Sequence, residues 1–148
     1  MKELKILNSK EIKNILNILN SQFGFSGKLD YAFLRNKDDI YLISKDLANI
    51  DSSKLNINNL GLYFGEIKNS TIRLSIEGSQ LIGNDSGKSI LTLDDDSAAR
   101  WIAGETIAVS NNLKGYMLIK HKKDFIGCGY IKDGRLLNYV PKERRLKL

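Results

Sequence analysis

The chain has 148 residues, of which 42% are hydrophobic and 27% charged, enough apolar material for a buried core in one domain or in two small ones. One proline and an ordinary charge density argue against a long disordered region, and no apolar run approaches the length of a signal peptide or a membrane span. A single cysteine, Cys128, rules out an internal disulfide, and with a single histidine, His121, it argues against a structural zinc site. A cytoplasmic, reduced protein with no metal and no cofactor is the expectation.

Asn8 and Glu11 have the spacing of a capping box, and Ile12, Ile15, Leu16, Leu19 and Phe23 recur at helical intervals up to Gly24. This predicts an amphipathic helix over about 9–22, with its apolar stripe turned to a core. Leu29 to Leu34 and Ile40 to Ser44 read as strands joined by the polar loop Arg35 to Asp39. A short helix near Lys45 to Asn49 and a polar stretch follow. Gly61 to Lys68 and Ile72 to Ile76 are then two more strands, turning at Asn69-Ser70-Thr71, with a helical turn at Glu77 to Ile82.

Gly83 to Lys88 has the Gly, Ser and Asn content of a connector, which divides the chain into units 1–84 and 88–148. Beyond it lie a strand at Ser89 to Leu93, a helix opened by Asp94-Asp95-Asp96-Ser97 and closed by Gly104, and strands at Thr106 to Val109, Gly115 to His121, Phe125 to Ile131 and Arg135 to Tyr139. The fold class is α+β: a mixed first half, then short strands around one helix, suited to a small, partly closed barrel.

The charge is concentrated at one end. The chain is formally +6, yet residues 114–148 carry ten Lys or Arg against three acids, which leaves the first 113 residues at −1. Clustered charge of this kind points to a polyanionic partner. The candidate RNA-binding residues are Lys120, Lys122 and Lys123 near one turn, Lys132 and Arg135 flanking Asp133-Gly134, and Lys142, Arg144, Arg145 and Lys147 in the tail. If these strands are antiparallel neighbours, loops and tail present cations along one rim. Among Tyr116, Phe125, Tyr130 and Tyr139, one or two are candidates to stack on unpaired bases.

Catalytic constellations are missing. Ser86-Gly87-Lys88-Ser89 contains the last residues of a phosphate-binding loop, but Ile82 stands where that motif needs its first Gly. Gly127-Cys128-Gly129 lacks the later Gly of a dinucleotide fingerprint and reads as glycines permitting a close backbone approach or a bend. The Asp triplet is explained by the dipole of the helix it opens. His121 reads as a basic-face residue before a general base, and Cys128 as a small buried hydrophobe.

The run Ile90 to Glu105, followed by Gly115 to Lys120 and Phe125 to Ile131, resembles a PUA domain, the RNA-binding pseudo-barrel of pseudouridine synthases and archaeosine transglycosylases. The ending Asp133 to Arg145, with its Asn138-Tyr-Val-Pro-Lys142 segment, is similar to the PUA-type C-terminal domain of the Nop/Sun rRNA cytosine methyltransferases. In the first half, Ile40 to Ser44, Asn59 to Glu66 and Ile72 to Ser75 resemble the pre-PUA half of the ribosome-assembly factor Nip-seven. Many PUA domains carry a Gly where the helix begins. The matching position here is Asp96, which directs the expected RNA contacts to the strand loops and the tail. Neither an S-adenosylmethionine-binding Gly-rich loop nor the second cysteine of a cytosine methylase is present in this sequence. The resemblance therefore implies a stand-alone, non-catalytic RNA-binding module, with rRNA as the favoured ligand, tRNA as the alternative, and a ribosome-assembly or RNA-modification protein as a partner. The competing expectation is a protein-interaction adaptor whose basic end is a solvated face.

Overall fold

The computed structural model describes residues 4–49 and 61–146. The polar stretch at 50–60, and with it Asn59 and Leu60, lies outside the described residues, as does Lys147. Helix α1 (Ser9–Phe23) begins as its sequence dictates. The Glu11 backbone N–H donates to Asn8 Oδ1 at 2.9 Å and the Asn8 N–H donates to Glu11 Oε1 at 3.1 Å, so both arms of the capping box form. Gly24 ends the helix in the left-handed region at φ 64. The buried stripe is Ile15, Leu19 and Phe23.

The helix packs on a five-stranded antiparallel sheet of order β1-β2-β3-β4-β5, made of Lys5–Ile6, Ala32–Asn36, Asp39–Ile43, Leu62–Lys68 and Thr71–Leu74. Two details differ from the sequence reading. Strand β1, which pairs with β2 through Lys5↔Arg35 and Ile6↔Leu34, is too short to leave a periodic signal. The β2–β3 loop is a tight turn, because Lys37 adopts φ 55 and lets Asn36 pair directly with Asp39. Asn69 and Ser70 are both left-handed (φ 52 and 62), the conformation that closes a two-residue hairpin between β4 and β5. The Gln22 side chain ties helix to sheet, donating to the Ile72 carbonyl at 3.0 Å and accepting from the Ile72 N–H at 2.6 Å. Helix α2 (Lys45–Ala48) is one turn capped by Ser44, and α3 (Ile76–Gly83) is capped by Ser75.

The second sheet is a curled half-barrel of order β6-β8-β9-β10-β7, from Ile90–Thr92, Gly115–His121, Asp124–Lys132, Arg135–Leu137 and Ile107–Ala108. Its β6–β8 pair is parallel; the others are antiparallel. Helix α4 (Asp95–Ile102) carries Trp101 into the middle of this half, fully buried, with its indole N–H donating to the Ile126 carbonyl at 3.1 Å. This explains the glycines around Cys128. A Cβ on Gly129 would stand 2.8 Å from the indole and 2.6 Å from Leu136, and Gly127 adopts φ 144 as β9 passes the ring.

The two sheets share one core. Leu118, Phe125 and Cys128 of the second sheet join Phe23, Phe33, Phe64, Ile72 and Ile82 of the first half, and Gly83 lies against the Phe125 ring. The connector after α3 is tied down as well, since the N–H groups of Gly87 and Lys88 both donate to the Phe23 carbonyl, at 2.9 and 3.0 Å. A second cluster surrounds Trp101 with Ile107, Met117, Ile119, Ile131, Leu136 and Val140. The expected α+β class, mixed half then curled sheet, is what the chain adopts.

Candidate nucleic-acid interface

Strands β8, β9 and β10 are antiparallel neighbours, and for that reason their turns fall at opposite ends of the sheet. The basic residues do not share one rim. Seven residues of β8 separate the two ends by about 20 Å at the usual rise of a strand.

At one end, the β8–β9 turn carries Lys120, Lys122 and Lys123. Lys120 Nζ lies 5.2 Å from the centroid of the buried Phe125 ring. The Lys122 ammonium is 3.7 Å from Asp95 Oδ1, and His121 Nε2 is 2.7 Å from the same oxygen. The His121 imidazole first, then the Lys122 charge, hold the Asp95 carboxyl below the usual carboxylate range. Asp94 caps α4, accepting from the Ser97 N–H at 2.8 Å, and Asp96 faces Arg100 at 3.7 Å. The Asp triplet thus starts a helix and anchors a hairpin tip. Among the described residues no three His, Cys, Asp or Glu side chains gather as metal ligands. Lys123 is exposed and, among the described residues, has no ion pair.

At the other end, Lys132 and Arg135 flank the turn in which Asp133 (φ 52) and Gly134 (φ 75) are both left-handed. Lys114, just before β8, joins them, and with Tyr130, Lys132 and Asp133 it lines an open depression of about 510 Å³.

The tail is folded back onto the protein. Lys142–Arg144 form a single helical turn, and Arg144 Nη1 meets Glu77 Oε2 of α3 at 2.8 Å. Arg145 lies across Gly104 and donates from Nε to the Val140 carbonyl at 3.0 Å, while the Leu146 N–H donates to the Ile102 carbonyl at 3.1 Å. Asn138 adds two bonds to α4 and its end, to the Trp101 and Glu105 carbonyls at 2.7 and 2.8 Å. Of the described tail cations, Arg144 and Arg145 tie the tail to the body of the protein, whereas Lys142 has no ion pair among the described residues. The segment similar to the Nop/Sun ending owes its shape to these bonds.

Folding the tail down creates a cleft of about 350 Å³ between it and the first sheet. Tyr63 of β4, Arg73 of β5, Glu77 of α3, and Tyr139, Glu143 and Arg144 of the tail line its sides, with Gly127 and Cys128 of β9 also in its wall. The Arg73 guanidinium sits 4.5 Å from the centroid of the Tyr139 ring and 3.6 Å from Glu66. The Tyr63 hydroxyl donates to Asp39 Oδ1 at 3.2 Å, and burial, then the nearby Asp39 carboxylate, push its pKa up. Burial pushes the Cys128 thiol up to about 12, so it is no nucleophile at neutral pH. Sequence reasoning selected Tyr139 but missed Arg73 and Glu77. They are the only charged residues between Lys68 and Asp85, with no cluster to mark them, and the fold alone brings them to the tail.

The Methyltransferase RsmF PUA domain model matches residues 88–146. Two curated proteins, each a ribosomal RNA small subunit methyltransferase F from a strain of Vibrio vulnificus (YJ016 and CMCP6), are 22% identical to this chain over 134 residues. That similarity covers 90% of the chain, and so reaches well into the first half, but only 28% of each relative. The chain thus spans little more than a quarter of the length of the curated relatives it matches. No described helix is long and apolar enough to cross a membrane. With its curled sheet closed around Trp101 and its matched segment running from the connector to the tail, the second half of the chain is a PUA-type domain resembling the C-terminal domain of the Nop/Sun methyltransferases.

Proposed function

We propose that the chain is a non-catalytic RNA-binding module in which units 1–84 and 88–148 act as one body through their shared core. It serves rRNA maturation, either directly or by carrying RNA to a modification enzyme. The observation that carries this reading is that the match to the PUA domain of an rRNA methyltransferase falls on the half of the chain where the positive charge is concentrated. Cations at two ends of one sheet suit a folded RNA. At one charge on each strand per roughly 3.4 Å of helix axis, a separation of about 20 Å along a duplex spans on the order of six phosphates of one strand. On this reading Lys120, Lys123, Lys132, Arg135 and Lys142 contact phosphates, while Lys122, Arg144 and Arg145 shape the surface that presents them.

The test is titration of a labelled structured rRNA fragment, and of duplex DNA of equal length, at several salt concentrations. With about five phosphate contacts, RNA affinity falls on the order of several hundredfold between 50 and 200 mM salt. Replacing Lys123 and Lys132 with Ala makes the logarithmic salt slope shallower by about two. Weak, similar binding of RNA and DNA, with an unchanged slope in the double variant, overturns the reading and favours the adaptor with a solvated basic face.

A further inference from the structure

We infer that the cleft between the first sheet and the tail takes one unpaired nucleobase of the RNA, stacked at Tyr139 beside the Arg73 guanidinium. This rests on the RNA-binding reading and adds to it a recognition step distinct from phosphate contact.

The aromatic side chains of this face differ in availability. Phe125 is buried in the shared core, and Tyr116 and Tyr130 turn toward each other edge to face, with centroids 4.8 Å apart. Tyr139 and Tyr63 remain 37% and 38% exposed, and both line the cleft. The Tyr139 ring already holds a flat cation against it, at 4.5 Å from its centroid. An aromatic ring and a guanidinium plane are the two surfaces on which proteins stack unpaired bases, and every base offers a π-face to them.

Size and charge agree with a base rather than with a run of backbone. A volume of about 350 Å³ lies at the small end of ligand sites, room for one base and its sugar but not for a paired helix. Arg73 and Arg144 are balanced in the cleft by Glu77 and Glu143. Carboxylates repel phosphates but accept hydrogen bonds from the N–H groups on a base edge. The cations with no ion pair among the described residues, Lys123 and Lys132 among them, stand elsewhere, at the hairpin ends, where phosphates are met. The cleft therefore reads a neutral, flat group with donors on its edge, while the hairpin ends supply the salt-dependent grip.

The experiment compares two labelled RNA hairpins of the same stem, one fully paired and one with a single bulged nucleotide, against the full chain and its variants. Wild type binds the bulged RNA more tightly. Tyr139→Ala loses about tenfold on the bulged RNA and less than about twofold on the paired one, while Tyr139→Phe keeps the affinity. Arg73→Lys, which retains the charge facing Glu66 but removes the planar surface, loses affinity on the bulged RNA alone and guards against a folding defect in the first variant. Trp101, the only tryptophan and a residue of the cleft wall, changes its fluorescence on addition of the bulged RNA and not of the paired one. Equal wild-type affinity for the two hairpins, or unchanged binding of the bulged RNA by both Tyr139→Ala and Arg73→Lys, overturns the inference while the RNA-binding reading stands. Binding of neither RNA overturns both.

Discussion

Gly129→Ala is the sharpest probe of how the second half is built. Gly129 has no unusual φ, so the added methyl introduces no backbone strain, and its cost is one of space. The new Cβ would lie 2.6 Å from Leu136 Cδ1, 2.8 Å from Trp101 Cη2 and 2.9 Å from the Leu137 carbonyl oxygen. None of the three yields easily: Trp101 and Leu136 are completely buried, and the carbonyl is backbone of the adjoining strand. Overpacking of a tight core costs about 1–3 kcal/mol, and three simultaneous overlaps place this case near the upper end, at about 3 kcal/mol. For a chain of this size that corresponds to a melting point lower by roughly 6–12 °C. Denaturant unfolding followed by the Trp101 emission reads the loss directly, because the only indole in the chain passes from full burial to water. A Leu136→Ala background removes one of the overlaps, so the penalty of Gly129→Ala falls by a measurable coupling energy of about 0.5 kcal/mol or more. Unchanged stability of the single variant, or strict additivity in the double one, would refute this account of the glycines flanking Cys128.

Two further predictions concern stability. The Cys128 thiol is raised by burial from an ordinary value of 9.0 to about 12, so the unfolded chain loses its proton first. The stability this contributes is fully present below pH 9 and is lost as pH rises toward 12, amounting to about 2 kcal/mol by pH 10.5. Cys128→Ala removes that part of the alkaline slope, and identical slopes in the two proteins would contradict the assignment. Asn8→Ala removes an arm of the capping box that begins α1 and lowers stability by about 1 kcal/mol in urea titrations, whereas Asn8→Ser leaves it nearly unchanged; equal losses in both would mean that the cap contributes nothing.

Local chemistry was legible without coordinates. The capping box of Asn8 and Glu11, the left-handed Gly24, the acidic start of α4 and the strands Gly115–His121 and Asp124–Lys132 all follow from periods and turn residues within a few positions of one another. The resemblance to PUA domains rested on the start of α4 and on these two strands, and the family match over residues 88–146 covers them. What the sequence by itself determined is therefore the order and type of the elements, apart from β1 and the helical turn Lys142–Arg144, and the end of the chain that carries the charge.

Only the tertiary structure decided where that charge goes. Lys122 and Lys132 read as equivalent in a list of basic residues, yet antiparallel pairing puts their turns at opposite ends, and Asp95 engages the first of them. Arg144 and Arg145 read as a free cationic tail, yet a carboxylate on α3 holds the first against the body of the protein and the Val140 carbonyl, five residues back, holds the second. Arg73 and Tyr139 are strangers in sequence and stack in space. The reason is the same in each case. A hydrogen-bonded turn or a helical stripe is specified by residues that are neighbours along the chain, whereas the partner of a long charged side chain is set by which surfaces the shared core of α3, β5 and β9 brings together.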